Sequence, residues 1–223
     1  MQLADSVTGC VLLSLCLLSG GVDAGITEFQ AGITTVARPS GITAGPDGNV
    51  WFTELNGNRI GRITPQGVIT EFTTGLSVNA FPFDIAAGPD GNLWFTEQVG
   101  NRIGRITPQG IVTEFSAGIS AGGNPFGITA GPDGNLWFVE AVGITVARIT
   151  PSGVVTEFST LTAGANPFFI AAGPDGNLWF TEFGGDRIGR IVPHALLVSA
   201  ASRKVHGAAG AFDLPLQLPQ PPP

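Results

Sequence analysis

The sequence predicts an all-β fold, a β-propeller made of four-stranded antiparallel blades. A ten-residue motif, GPDGN-[VL]-WF-[TV]-E, occurs four times, and each copy starts 42 or 43 residues after the copy before it. A period of this length is typical of propeller blades. Short strand-like segments alternate with clusters of Gly, Pro, Asn and Asp, as in antiparallel hairpins, and no segment has a helical period. The four copies begin at Gly45, Gly88, Gly131 and Gly173.

The composition limits the kinds of partner that the chain can bind. It has 223 residues, of which 12% are charged, and its net charge at pH 7 is −7. Nucleic-acid binding needs a basic stripe, so this balance argues against a nucleic-acid partner. Both cysteines, Cys10 and Cys16, precede the repeats. The repeats are therefore predicted to contain neither a disulfide nor a thiolate metal site.

Residues 1–24 are predicted to be a signal peptide. Residues 11–18 form a short apolar run, and Val22-Asp23-Ala24 fits a cleavage site with small residues on either side. The run is too short to span a bilayer, so no stable membrane span is expected. The residues before the run lack the Lys or Arg that usually begins such a signal. We expect a secreted or periplasmic protein.

Each repeat is predicted to form four short strands joined by tight turns. In the first repeat, Pro46 presets φ for a turn, Asp47 can accept a hydrogen bond from the backbone, and Gly48 can take a positive φ. Residues 50–54, which follow, are mostly aromatic or β-branched and favour a strand. The predicted propeller region runs over residues 25–193, with blades at about 40–72, 83–115, 126–158 and 168–193.

One tryptophan occupies the same place in every repeat. A single sheet cannot bury both of its apolar faces, whereas stacking of neighbouring blades would cover them. We therefore expect the tryptophans to pack between blades, and a ligand platform is the alternative. They are Trp51, Trp94, Trp137 and Trp179.

The two ends of the repeat region leave the closure of the propeller open. Residues 26–29, ITEF, copy the fourth strand of a blade, whereas the fourth repeat stops at Pro193 without that strand. Donation of residues 26–29 to the fourth blade would close a ring and remove the open edge. The alternatives are an open arc, or two chains that form an eight-bladed ring through their unpaired edges. Residues 194–223 are rich in Ala and Pro and are predicted to be a disordered tail.

Two segments of the repeat, GITAGPDGN-[VL]-WFTE and NRIGRITPQGVITEF, closely resemble the repeat of the virginiamycin B lyase family, the streptogramin B lyases. The resemblance runs over residues 25–193. It implies a seven-bladed propeller, of which this chain holds about four blades. It also implies a Mg²⁺-dependent carbon–oxygen lyase that linearises streptogramin B cyclic depsipeptides. The implied site combines a His after the Pro that precedes the first strand, an acid before that Pro, and the Glu that ends the WF-x-E strand.

The chain matches only the glutamate of this implied site. By resemblance these carboxylates are candidate Mg²⁺ ligands, and hydrogen bonding at the strand end is the structural alternative. They are Glu54, Glu97, Glu140 and Glu182. The acid positions hold no acid and are occupied by Arg38, Phe81, Asn124 and Asn166.

No histidine stands at the family's histidine position in any repeat. The residues found there are candidates for an apolar binding face that takes a small molecule or peptide, with core packing as the alternative. They are Ser40, Phe83, Phe126 and Phe168. The two histidines of the chain, His194 and His206, follow the last repeat and match no family position.

These observations leave three interpretations of function. The first is a lyase by descent, although the missing histidine argues against activity of this chain alone. The second is a non-catalytic exported propeller that binds a ligand or partner on its face. The third is a truncated product without function, as a frameshift near Pro193 would create. Linearisation of a streptogramin B with and without Mg²⁺ separates the first interpretation from the others.

Overall fold

The computed structural model describes residues 25–159 and 161–193. The predicted signal peptide and tail, with His194 and His206, lie outside the described residues. The chain divides into two units, one that ends at Ala31 and one that starts at Gly32. All of the strands described below belong to the second unit. In neither described range does a helix occur that is long and apolar enough to cross a membrane.

The described part of the second unit consists of short antiparallel strands and contains no helix. Their order along the chain is β1 (Pro39–Ala44), β2 (Val50–Glu54), β3 (Arg59–Ile63), β4 (Ile69–Phe72), β5 (Pro82–Ala87), β6 (Leu93–Glu97), β7 (Arg102–Ile106), β8 (Val112–Phe115), β9 (Pro125–Ala130), β10 (Leu136–Glu140), β11 (Thr145–Ile149), β12 (Val155–Phe158), β13 (Pro167–Ala172), β14 (Leu178–Glu182) and β15 (Arg187–Ile191).

The strands form one sheet for each sequence repeat. Strands β1 to β4, β5 to β8 and β9 to β12 make three four-stranded sheets, each in sequence order. Strands β13 to β15 make a fourth sheet that has three strands within the described residues. Every pairing is antiparallel, which confirms the predicted all-β fold of antiparallel blades.

Residues 26–29, expected to be a lone closing strand, are not a strand in this structure. A β-strand is stabilised by the ladder that it makes with a partner, and sequence similarity to the fourth strand does not supply that partner. The fourth sheet accordingly ends at β15 in the described part of the chain.

A bulge interrupts the first strand of each sheet just after its proline. Pro39 is opposite Glu54, but Ile42 is opposite Phe52, so β1 holds one residue more than β2 over this stretch. The same shift occurs in β5, β9 and β13. Proline cannot donate a ladder hydrogen bond, and a bulge turns the neighbouring side chains away from the regular alternation. The bulge therefore sets the direction of the candidate site residues.

The PDGN turn is tied to the tryptophan that follows it. In the first repeat, Asp47 accepts hydrogen bonds from the Asn49 backbone amide and from the Trp51 indole at 3.0 Å. Gly48 has a φ of 76°, a conformation that glycine adopts without strain. The indole hydrogen bond recurs in the three later repeats. The aspartates therefore act as turn residues that satisfy the indole N–H of a tryptophan, which is buried in the first three repeats.

Neighbouring sheets pack face to face, and their tryptophans fill the space between them. Trp51 of the first sheet packs with Ile85 and Leu93 of the second, and Trp94 packs with Ile128 and Leu136 of the third. Trp51, Trp94 and Trp137 are buried, as the sequence predicts. Each ring also stacks on the phenylalanine at the end of the fourth strand in its own sheet.

The first and last sheets each present one uncovered face. Ile42 in β1 is 70% exposed, whereas its counterpart Ile85 is buried. In the last sheet Ile188 is 65% exposed and Trp179 is 38% exposed, although their counterparts in the earlier sheets are buried. The prediction of a buried tryptophan thus fails for Trp179, because no described sheet follows the fourth one.

Candidate functional site

In the second, third and fourth sheets, the residue that follows the strand-opening proline lies in a cluster of aromatic rings. The ring centroids of Phe83 and Phe126 are 4.9 Å apart, and those of Phe126 and Phe168 are 4.5 Å apart. Phe83 and Phe168 make an edge contact at 5.8 Å. All three side chains are partly buried, so they present apolar surface to solvent while they pack on one another. The structure thus brings three of the four predicted face residues together.

The order of the sheets explains this convergence. The first strands of successive sheets contact one another, β1 with β5, β5 with β9 and β9 with β13. Equivalent residues on these strands therefore become neighbours. Ser40 is exposed at the corresponding position of β1 and contributes no ring. The cluster is consequently one-sided, with its aromatic surface on the second, third and fourth sheets.

Two further phenylalanines extend the cluster. Phe169 lies 5.0 Å from Phe168 and also stacks on Phe83 at 6.3 Å, and Phe183 lies 6.1 Å from Phe168. The sequence reasoning missed both of them, because it looked for residues that the repeats share. In the sequence, both residues could have been recognised because they differ from their counterparts in the other repeats. The counterparts of Phe169 are Gly41, Asp84 and Gly127. Those of Phe183 are Leu55, Gln98 and Ala141.

A cavity of about 650 Å³ adjoins the cluster on the fourth sheet. Phe168, Phe169 and Phe183 form its apolar wall. Its polar groups include Glu182 and Arg187, whose carboxylate and guanidinium are 3.0 Å apart. An apolar pocket with a few convergent polar groups is the usual form of a small-molecule site. This cavity and the ring cluster are the candidate functional site.

The strand-ending glutamates lie in four different sheets and do not meet. Within residues 25–159 and 161–193, no group of three or more acidic, His or Cys side chains is placed to hold a metal ion. Glu54, Glu97 and Glu140 are fully buried, and their carboxylate oxygens lack hydrogen-bond partners in the structure. Only Glu182 borders the candidate cavity.

Each buried glutamate faces a second carboxylate and, in most sheets, an arginine. Arg59 lies 4.0 Å from Glu54 and 3.3 Å from Glu71, and Arg102 holds the same position between Glu97 and Glu114. Burial and the charge of Glu114 raise the pKa of Glu97 to about 8. A protonated carboxyl at neutral pH avoids the cost of a buried unpaired charge.

The third sheet lacks the arginine of this arrangement. Thr145 occupies its position and donates its hydroxyl to the Gly143 carbonyl. Burial and the neighbouring charge of Glu157 raise the pKa of Glu140 to about 8. Glu157 itself accepts hydrogen bonds from the amide and hydroxyl of Ser120. The raised pKa favours the protonated form of the buried Glu140 at neutral pH.

The residues at the family's acid position have a left-handed backbone. Arg38 and Phe81 both have a φ of 54°, and Asn124 and Asn166 have φ values of 60° and 47°. Asparagine tolerates this conformation, whereas arginine and phenylalanine rarely adopt it. The Phe81 amide donates to Asn58 Oδ1, and the hydrogen bond helps to hold the turn. These residues precede the strand-opening prolines. They set the direction in which the chain enters the bulged first strands, which carry the cluster.

One known protein family matches this sequence. The pattern of the virginiamycin B lyase family matches residues 21–206, most of the chain. The chain belongs to the virginiamycin B lyase family. A search of curated proteins finds no match.

Solved members of the virginiamycin B lyase family have the same fold. Virginiamycin B lyase from Staphylococcus aureus is 48% identical, with a TM-score of 0.69, over 72% of this chain and 54% of that protein. A streptogramin B lyase is 43% identical, with a TM-score of 0.71, over 75% of this chain and 55% of that protein. A catalytically inactive histidine-to-alanine variant of the S. aureus lyase, solved with quinupristin, is 47% identical, with a TM-score of 0.69, over 73% of this chain and 55% of that protein. The chain thus spans about half the length of these lyases.

The strand-ending glutamates do not fit a shared magnesium site of the family. Mg²⁺ binds through one or two carboxylates and keeps several of its waters. Three of the four glutamates have no exposed surface, which leaves no room for such waters. They also point toward a second carboxylate of their own sheet, not toward one another. Magnesium binding remains an expectation of the family resemblance.

The buried glutamates should make stability depend on pH. The folded pKa of Glu140 lies above its ordinary value of 4.5, so the folded state binds the extra proton and loses stability as pH rises from about 4.5 to about 8. Glu140→Gln should flatten this fall by up to about 1.4 kcal/mol per pH unit, the slope for one proton. Urea unfolding from about pH 5 to about pH 8 measures it. Glu28→Gln, at an exposed residue, is the control, and an unchanged slope for Glu140→Gln would contradict this assignment.

Proposed function

We propose that this chain binds an apolar ligand of the streptogramin B class, a cyclic depsipeptide, and does not open it. The observation that carries the proposal is the ring cluster of Phe83, Phe126 and Phe168 beside the 650 Å³ cavity. Aromatic side chains offer large apolar contact area at little cost in conformational entropy. Arg187, which lines the same cavity, offers N–H donors for the carbonyl oxygens of a peptide ligand.

The absence of turnover follows from the residues at the family's histidine position. Ser40 and three phenylalanines stand there, and neither side chain can accept a proton near neutral pH as an imidazole does. The solved S. aureus variant in which one histidine is replaced by alanine is catalytically inactive. That variant was solved with quinupristin, which supports ligand binding without that histidine.

The family membership favours a second candidate, the lyase reaction itself. The identity of 43–48% to solved lyases supports it, and Glu182 at the cavity is a carboxylate that could assist in proton transfer.

Binding of quinupristin to the full chain tests the proposal. Phe168→Ser, which copies Ser40 of the first repeat, should weaken binding at least about tenfold, because it removes the central ring of the cluster. Val68→Ser, at an exposed residue outside the cluster and the cavity, should leave the affinity unchanged. Titration calorimetry measures both variants.

The same samples distinguish binding from turnover. Mass spectrometry of quinupristin after incubation with the chain and Mg²⁺ should show intact ligand only. Accumulation of an opened product would support the lyase candidate in place of the first one. Equal affinity of the Phe168→Ser and parent chains would show that the ring cluster does not bind the ligand.

The chain is further proposed to act outside the cytoplasm. The apolar residues 11–18 and the small residues that end at Ala24 support export. Expression in a bacterium should release a mature chain that begins at Gly25, as intact mass would show. An unprocessed chain that stays in the cytoplasm would contradict export.

A further inference from the structure

Asp84 is the one carboxylate among the four residues at its repeat position. Its counterparts in the other first strands are Gly41, Gly127 and Phe169. It directly follows Phe83, in the stretch of β5 that the bulge takes out of regular register. The side chain is partly buried, and no arginine forms an ion pair with it in the described part of the chain. The repeat therefore gives no reason for a charged residue at this position.

The Asp84 carboxylate joins the second sheet to the third. Its Oδ1 accepts a hydrogen bond from the amide of Ile85 at 2.9 Å, and its Oδ2 accepts one from the amide of Ile128 in β9, also at 2.9 Å. The first bond orients the carboxylate on its own strand, and the second reaches the neighbouring sheet. A hydrogen bond to a charged acceptor is stronger than one between neutral groups. The two first strands are thus tied by a charge-assisted hydrogen bond.

A second link joins the same two sheets. Thr96 Oγ1 in β6 accepts from the Asp84 amide at 3.1 Å and donates to the Phe126 carbonyl at 2.6 Å. Asp84 therefore takes part in both links, through its side chain in one and through its amide in the other. The links hold the Phe126 carbonyl and the Ile128 amide, two residues apart in β9. Together they fix the backbone of Phe126 relative to β5.

The other junctions between sheets form without this carboxylate. Between the first and second sheets, Gly41 offers no side-chain acceptor, yet β1 still contacts β5. Between the third and fourth sheets, Gly127 stands in the place of Asp84. Val139 stands there in the place of Thr96 and lies in the buried cluster that joins the two sheets. Packing between sheets therefore does not require the Asp84 carboxylate.

The charge of Asp84 has an energetic cost. Burial raises the pKa of Asp84, because the charged form loses solvation, although the amides of Ile85 and Ile128 favour that form. A desolvated carboxylate that the scaffold does not require, next to a binding surface, is typical of a residue that serves the site.

The link acts on the part of the ring cluster that spans two sheets. Phe83 precedes Asp84 in β5, and Phe126 lies in the segment of β9 that the two links hold. Their rings meet edge to face, with centroids 4.9 Å apart. Phe169 of the fourth sheet in turn stacks on Phe83. A shift of β9 relative to β5 would therefore disturb contacts across the whole cluster.

We propose that Asp84 is a positioning residue of the ligand site: by holding β9 against β5, it keeps the Phe83 and Phe126 rings in contact before a ligand arrives. A site that is formed in advance binds more tightly, because less ordering is needed on binding. The effect of Asp84 on ligand affinity rests on the function proposed above, whereas its effect on the two rings does not.

Nuclear Overhauser contacts between phenylalanine rings in the ligand-free full chain test the positioning directly. Asp84→Gly, which copies the glycine of the first and third sheets, should weaken the contact of Phe83 with Phe126. The contact of Phe126 with Phe168, whose centroids are 4.5 Å apart, does not depend on the link and is the internal reference. An unchanged ratio of the two contacts would overturn the proposal.

A second variant decides the matter if Asp84→Gly fails to fold. Thr96→Val removes the other link between the same two sheets and should weaken the same ring contact. Val139 already occupies the equivalent buried place in the third sheet, so valine fits there. A folded Thr96→Val chain that keeps the parent ratio of ring contacts would likewise overturn the proposal.

Titration calorimetry with quinupristin measures the consequence for binding. Asp84→Gly should weaken binding at least about threefold, because the apparent affinity falls with the fraction of molecules whose rings are in place. Glu28→Gly, which removes an exposed carboxylate outside the sheets, controls for the change in charge and should leave the affinity unchanged.

The two measurements separate this role from the proposed function and from a purely structural role. If the parent chain does not bind quinupristin, the proposed function fails, and the ring contacts alone decide the role of Asp84. If Asp84→Gly lowers stability in urea but changes neither the ring contacts nor the affinity, the role is purely structural and the proposal is overturned.

Discussion

The structure depends on neighbouring sheets covering one another's apolar faces. Within a sheet there is little space to adjust: a Cβ at Gly61 would overlap the Phe52 ring, and the same close approach recurs at Gly104 with Phe95. The phenylalanines are thus held on their own sheets, and the tryptophans fill the gap to the next sheet. The Asp47 hydrogen bond allows the Trp51 indole to be buried without an unsatisfied N–H.

This arrangement leaves the strand starts free to vary. The bulge after each proline turns one residue out of the ladder, so Ser40 and Phe83 occupy equivalent positions without a change in the sheet around them. Contacts between the first strands gather these residues, and the aromatic cluster forms where three consecutive repeats carry phenylalanine. The repeats of this chain can differ at these positions, because the residues that hold the sheets together lie elsewhere.

The sequence predicts the features that every repeat shares and misses the ones that set a single repeat apart. The period predicted the sheets and the turn role of Asp47, since each recurs with the scaffold. The exposure of Trp179 was not foreseen, because it depends on which sheet follows. Phe169 departs from the repeat, and the burial of Glu140 beside a second carboxylate appears only when neighbouring strands are paired.

The most direct test of the central claim compares two tryptophans that differ only in whether a neighbouring sheet covers them. Trp94→Ala and Trp179→Ala would both be made in the otherwise unchanged chain. Urea unfolding should show a loss of about 3–5 kcal/mol for Trp94→Ala, the usual cost of removing a buried aromatic ring. The loss for Trp179→Ala should be less than about half of that, because its ring is 38% exposed. Equal losses at the two positions would contradict the claim that packing between sheets stabilises this fold.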